Sequence, residues 1–100
     1  MNESNLELMN VAANLMRGVE SVGGKLMVTP HEIEFTPNKV NVQSTPLTIP
    51  MSEIKHIEKR NTVFVVPNGL RVDTKNGEEH KFVVNNRRKL MDLITQHMNH

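Results

Sequence analysis

Apolar and polar side chains alternate with a period of two residues, and this feature most constrains the fold of the 100-residue chain. The alternation runs from Gly18 to Val84 and is cut into short pieces by glycine, proline and Asn-Gly dipeptides. In the segment Glu32–Thr36, Ile33 and Phe35 fall on one face and the two glutamates on the other. Such alternation is typical of a half-buried β-strand, because successive side chains point to opposite faces of a sheet. The pattern therefore predicts a mainly β protein with a curled antiparallel sheet of about seven strands.

Turn-forming residues predict where these strands begin and end. Gly23-Gly24 is expected to form a hairpin turn, because glycine accepts the positive φ that such turns need. The segment Pro37–Pro46 is expected to be a loop or a weak edge strand, and Pro50–Glu53 a corner. Asn76-Gly77 is a strong hairpin signal. The predicted strands cover residues 19–22, 25–29, 32–36, 47–49, 54–60, 62–66, 70–74 and 79–84.

The beginning of the chain has helical spacing. A Ser-x-x-Glu capping box at residues 4–7 precedes an apolar stripe that includes Leu6 and Met9. We therefore expect an N-terminal helical segment over residues 1–16, followed by a single domain over residues 17–98. The stripe either packs onto the domain or serves as a partner-binding or dimerising face, in which case Leu6 and Met9 are the candidate partner-binding residues.

The end of the chain also predicts a helix. Its apolar stripe follows Asn85, a candidate cap, and consists of Leu90, Leu93, Ile94, His97 and Met98. Twisted strands do not close both ends of a curled sheet with side chains alone. We therefore expect this one C-terminal helix to cover an open end of the sheet.

Composition and motifs exclude several classes of function. The chain has no cysteine, which rules out disulfides, thiolate zinc sites and a cysteine nucleophile. A net charge of +1 and only three aromatic residues predict no nucleic-acid partner. The five histidines have no metal-ligand spacing, and no nucleophile motif or phosphate-binding loop occurs. We therefore expect no metal, no cofactor and no catalytic residues, and we do not expect an enzyme.

The N-terminus has no basic region followed by an apolar one, and the longest apolar runs are about five residues. The expected location is cytoplasmic, with peripheral membrane attachment as an option.

Several segments, in their order and spacing, resemble a GRAM domain. They are Gly18–Leu26, Leu47–Ile54, Pro67–Leu70 and Lys81–Val84, and the resemblance covers roughly residues 13–96. It implies a pleckstrin-homology-like fold, a partly open barrel capped by one C-terminal helix. It also implies a role in binding membranes, lipids or proteins, and the chain is most similar to the small stand-alone bacterial members. The family has no shared catalytic residues to assign.

Four cations are candidate anion- or lipid-binding residues: Lys39, Arg87, Arg88 and Lys89. The last three begin the predicted C-terminal helix, where cations oppose the helix dipole and a bound anion would relieve that cost. A solvated charge run is the alternative interpretation. The usual phosphoinositide site needs convergent cations between the first two strands, and only Lys25 is close at hand there, so this site is not expected.

Two functions remain, beside a third possibility, an apolar ligand between helix and sheet, which the sequence does not distinguish from an ordinary core. The favoured one is a non-catalytic binding or adaptor domain for a protein partner or a second copy of the chain, as in a homodimer. The contact would use an exposed strand edge or the groove between sheet and helix. The alternative is peripheral binding to anionic membrane lipid through the four cations, with Lys59 as a further contact.

Overall fold

The computed structural model describes residues 6–39, 45–60 and 68–98. A 3-10 turn, Met51–Glu53, links the fourth strand to the fifth, and one helix, α1, spans Arg87–Met98. The strands are β1 Met9–Arg17, β2 Glu20–Val28, β3 Glu32–Pro37, β4 Leu47–Pro50, β5 Ile54–Arg60, β6 Gly69–Thr74 and β7 Glu79–Val84. They form one antiparallel sheet in the order β4-β3-β2-β1-β7-β6-β5.

The inward face of this sheet forms the core, as the alternation predicted. Phe35 and Leu26 are 0% exposed, and so are the two inward residues of α1, Leu90 and Ile94. The helix lies against the 3-10 turn and β5. Burial of its apolar stripe against the curled sheet confirms the prediction of a capping C-terminal helix.

The predicted N-terminal helix is wrong. Residues 9–17 form β1, which lies between β2 and β7, and no described residue before α1 belongs to an α-helix. Every second residue from Met9 to Leu15 packs in or against the core. The apolar residues of this segment therefore also recur with a period of two. Hydrogen bonding to β2 on one side and β7 on the other favours the strand over an isolated helix, which would be only marginally stable.

The predicted turn at Gly23-Gly24 is also wrong. Both glycines lie inside β2, and the chain turns at Gly18-Val19, where Gly18 has φ +61°. Gly24 is needed in the strand because a Cβ there would lie 2.7 Å from Phe35 Cζ. Here glycine serves a close approach of strand and ring, not a turn.

Other turn predictions are confirmed. β6 and β7 form the expected hairpin, in which Gly77 has φ +92°. The 3-10 turn follows Pro50, at the expected corner. The predicted strand over residues 62–66 and residues 40–44 of the predicted loop lie outside the described residues.

The two end strands of the sheet differ in length and surroundings. β4 has four residues and ends in Pro50, which has no N–H to donate. A groove of about 180 Å³ separates it from the β6–β7 turn. β5 has seven residues, with an irregularity in register between Ile54 and His56. Of the two end strands of the described sheet, β5 is therefore the longer.

Candidate functional site

The basic run at the start of α1 is joined to the sheet by one of its own side chains. The Arg87 guanidinium Nη1 donates a hydrogen bond to the backbone carbonyl of Gly69 at 3.2 Å. Gly69 begins β6, and the next residue, Leu70, pairs with Lys59 of β5. One strand spacing, about 5 Å, therefore separates the backbone of Lys59 from the start of β6 that Arg87 contacts. Two distant parts of the sequence meet at this point.

We call Lys59, Arg87, Arg88 and Lys89 the basic face. Arg87 is half-buried, whereas the other three side chains are exposed. Within the described ranges, Lys59, Arg88 and Lys89 make no ion pair. The next acidic residue along α1 is the exposed Asp92, about one turn after Arg88. The basic face is therefore a local concentration of positive charge on a nearly neutral chain.

The position of these cations is electrostatically unfavourable for the helix itself. The first turn of α1 contains no acidic residue. Helix N-termini carry partial positive charge, so a cation there costs about 0.3–1 kcal/mol. Arg87 gains a hydrogen bond to the sheet, but no contact within the described residues compensates Arg88 and Lys89. Violations of a local preference without structural gain are expected at functional sites.

Lys39 lies apart from the basic face. It is exposed just after β3, whereas Arg87 contacts the start of β6. The path between them crosses β2, β1 and β7. Four strand spacings of ~4.8 Å make about 19 Å around the sheet. Arg87, Arg88 and Lys89 are consecutive at the start of α1, whereas Lys39 follows β3, four strand positions away around the sheet.

The two candidate partner-binding residues have opposite environments. Leu6 is 54% exposed, just before β1. Met9 is 5% exposed and belongs to the hydrophobic core. The two side chains therefore do not form one exposed stripe, and of the pair only Leu6 presents apolar surface to solvent.

The connection between β1 and β2 contributes little positive charge. It is a tight turn whose tip residue, Val19, is 101% exposed. Arg17 is directed to the neighbouring loop, where its Nη2 donates to the carbonyl of Thr45 at 3.4 Å. Glu20 pairs opposite Arg17 across the turn. These described residues do not supply the convergent cations that a clustered phosphate ligand requires.

A second cation, Arg71 on β6, is already engaged. Its Nε lies 2.8 Å from Asp73 Oδ1, and its Nη2 lies 3.1 Å from Glu58 Oε2. The hydrogen bond to Asp73 is the main cause that raises the pKa of Arg71 above its usual value, against a smaller opposing effect of burial. This three-residue group has one positive and two negative charges, so Arg71 is already paired and does not belong to the basic face.

Surface grooves elsewhere in the described structure are bordered by polar and apolar groups together. One of about 370 Å³ is bordered by Lys25, Glu34 and Asn38 on the outer face of β1–β3. Another of about 300 Å³ lies beside Lys55, His56 and Asp73. Small-molecule sites of this size are usually lined mainly by apolar side chains. In residues 6–39, 45–60 and 68–98, no three side chains of the metal-ligating types are grouped.

Lys59 is predicted from the sequence as a further lipid contact, but no sequence pattern indicates that it lies near the start of α1. This position is set by tertiary structure, because Lys59 reaches the basic face through the pairing of β5 with β6. The local signal in Lys59 is only its place in a short basic group with Lys55 and Arg60.

Solved structures share this arrangement of strands and helix. A domain from Leishmania infantum, the C-terminal domain of an unknown protein, has a TM-score of 0.81 and 20% identity, covering 93% of this chain and 84% of its own. The N-terminal PH domain of human ARAP2 has a TM-score of 0.70 and 14% identity, covering 90% of this chain and 77% of its own. The Slm1 PH domain, crystallised with inositol-4-phosphate, has a TM-score of 0.64 and 11% identity, covering 92% of this chain and 94% of its own.

At these identities the likeness shows the fold, which is pleckstrin-homology-like, as the resemblance implied. Domains of this class are binding modules and are generally non-catalytic. The chain belongs to the GRAM domain family, whose sequence model matches residues 1–100. No curated protein matches the chain in sequence.

Proposed function

We propose that this GRAM domain is a non-catalytic binding module that docks on membrane surfaces rich in anionic lipid, using the basic face. The observation that carries the proposal is that Arg87 contacts the start of β6, one strand spacing from the backbone of Lys59. Of these four cations, Lys59, Arg88 and Lys89 are exposed and without an ion pair in the described structure. A flat anionic surface suits these exposed cations, because binding to such a surface requires no enclosed pocket.

The expected affinity follows from the number of charges. Each lysine or arginine near an anionic leaflet contributes about 1 kcal/mol. Four such residues contribute up to about 4 kcal/mol, which corresponds to a dissociation constant near 1 mM. Docking by this face alone is therefore weak and reversible, and it is screened by salt. No described helix is long and apolar enough to cross a bilayer.

The complex of the Slm1 PH domain with inositol-4-phosphate supports the proposal at the level of the fold, since a domain of similar architecture binds a phosphorylated inositol. The charge pattern supports a different surface in this chain. The cations available here lie at the start of α1, whereas the tight β1–β2 turn offers Arg17 opposed by Glu20.

Self-association, the other interpretation of the sequence, has less support. Met9 is a core residue, so the apolar face that the two candidates were expected to share is reduced to Leu6. β4 is short and ends in proline, features that protect an edge from pairing with another copy. A membrane surface fits the exposed, unpaired cations better than a second copy with the same charges.

Vesicle co-sedimentation tests the proposal. The full chain is mixed with vesicles of phosphatidylcholine alone or with about one third phosphatidylserine, at low and at physiological salt. We expect pelleting with the anionic vesicles at low salt and a marked decrease as salt rises. The triple variant Lys59→Gln, Arg88→Gln, Lys89→Gln is expected to remain in the supernatant.

The control is a second triple variant, Lys25→Gln, Lys75→Gln, Lys81→Gln. It has the same net charge, but its substitutions lie on exposed positions away from the basic face. It is expected to pellet nearly as well as the unmodified chain. Equal losses in both variants would mean that only net charge matters, and no pelleting of the unmodified chain at low salt would refute membrane docking.

A further inference from the structure

The strand β5 is the second notable surface feature of this molecule, because it lies at one end of the described sheet. It pairs with β6 on one side, and the described part of the chain provides no strand on the other. Seven residues, from Ile54 to Arg60, form this edge. An edge strand presents a row of backbone N–H and C=O groups that an extended segment can bind by continuing the sheet.

The side chains of β5 give its two faces different chemistry. Ile57 and Lys59 pair with Val72 and Leu70, which point into the core, so both lie on the inner face, where α1 packs. His56 and Glu58 pair with the outward residues of β6. An added strand would therefore meet an apolar and then a basic residue on the inner face.

The charges of this edge disfavour pairing with another copy of itself. If two β5 strands paired antiparallel about Ile57, Lys59 of each would lie opposite Lys55 of the other, from their spacing in the sequence. Like charges directly opposite destabilise a strand pair. Lysines at edges protect against self-pairing in this way, while leaving the edge available to a strand of opposite charge.

We propose that the edge of β5 that faces away from β6 binds an extended acidic segment of a partner protein by strand addition. The segment places an apolar side chain beside Ile57 and a carboxylate beside Lys59, two residues apart on the same face. Its alternate side chains face His56 and Glu58 and are therefore uncharged. Lys59 belongs to the basic face, but the strand hydrogen bonds are specific to this inference.

A synthetic peptide of about eight residues, with Thr-Val-Thr-Glu repeated, tests the proposal with the full chain. We expect anisotropy of the labelled peptide to show saturable binding. Amide exchange of β5 is expected to slow when the peptide is present. A peptide with lysine in place of glutamate, and the variant Lys59→Glu, are each expected to weaken binding at least about tenfold. The control Lys81→Glu, at an exposed position on β7, is expected to bind like the unmodified chain.

Two N-methylated peptides separate strand addition from charge attraction. One peptide has N-methyl groups on its odd-numbered residues and the other on its even-numbered residues. Each peptide strand therefore lacks the N–H groups along one of its two edges. We expect only one of the two to lose binding, because only one edge faces β5. Equal binding of both to the unmodified chain, or equal binding of the lysine peptide, would overturn the inference. Vesicle pelleting without peptide binding would overturn this inference alone, and peptide binding without pelleting would overturn only the proposed membrane docking.

Discussion

The rings of Phe35 and Phe82 meet inside the curled sheet, with 6.1 Å between their centroids and 51° between their planes. Phe35 lies on β3 and Phe82 on β7, and β2 and β1 separate these strands in the sheet. The rings meet because the sheet curls enough to bring strands that are not neighbours face to face. This contact therefore reports directly on the closure of the sheet.

Truncation of Phe82 is expected to destabilise the domain strongly. Phe82 is 2% exposed, so Phe82→Ala removes a buried ring and leaves a cavity. The free energy of unfolding is expected to fall by about 3–5 kcal/mol. Phe82→Leu retains most of the apolar volume and is expected to cost clearly less. Urea unfolding followed by circular dichroism measures both, and equal losses would mean that the contact with Phe35 is not closely packed.

Adjacent glycines in β2 are expected to respond differently to alanine. A Cβ at Gly24 would clash with the carbonyl oxygen of Thr36 and lie 2.7 Å from Phe35 Cζ. Gly24→Ala is therefore expected to destabilise the domain by about 1–3 kcal/mol, as overpacking does. The matched control is Gly23→Ala, whose Cβ would lie 3.4 Å from Asn38 Nδ2. We expect it to change the stability by less than about 0.5 kcal/mol, as thermal unfolding of both variants will show.

Replacement of Arg71 is expected to lower the melting temperature. Arg71→Gln leaves the carboxylates of Glu58 and Asp73 near each other without the guanidinium between them. Adding Asp73→Asn is expected to recover part of the loss, because the repulsion between the carboxylates is then removed. A double variant no more stable than Arg71→Gln alone would contradict this account.

The pH dependence of the Arg71 contribution has a definite sign. Folding raises the pKa of Arg71, mainly through the hydrogen bond to Asp73. Its stabilising effect is therefore fully present below the usual pKa of arginine and is lost only as the pH rises through the raised value. The difference in melting temperature between the unmodified chain and Arg71→Gln should not change from neutral to mildly alkaline pH as a result of Arg71 titration.

Removal of cations from the basic face is expected to raise the stability of the domain and to weaken its binding to membranes. In the double variant Arg88→Gln, Lys89→Gln, the helix N-terminus loses two unfavourable cations, which is expected to raise stability by about 0.3–1 kcal/mol per site. The same variant is expected to bind anionic vesicles more weakly. Thermal unfolding and co-sedimentation on one preparation test both effects, with Lys25→Gln, Lys81→Gln as the control for net charge. A loss of stability would show that these cations have a structural role.

Much of the sheet could be predicted from local pattern. Ile33 and Phe35 alternate with glutamates, and the structure buries both, at 1% and 0% exposure. The β6–β7 hairpin followed from Asn76-Gly77, because few sequences accept its backbone conformation. Leu90 and Ile94 identified the buried face of α1 for a similar reason, since helical spacing repeats over several turns.

The first strand could not be predicted in the same way. The segment around Met9 and Ala13 satisfies both a helical and a strand period, and its conformation depends on β2 and β7, which lie on either side. Gly23 and Gly24 are equally ambiguous, because the sequence alone does not show whether a glycine forms a turn or allows another group to approach the backbone closely. Only the position of Phe35 against β2 distinguishes the two roles.

The sequence by itself determined the class of fold, the capping helix and the basic run at Arg87–Lys89, because each depends on residues close together in the chain. Tertiary structure alone decided that Met9 lies in the core, that Lys59 lies one strand away from the start of β6, and that β5 is an end strand of the described sheet. Each of these depends on which strands pair, and pairing is set by the burial of the whole sheet rather than by any one segment.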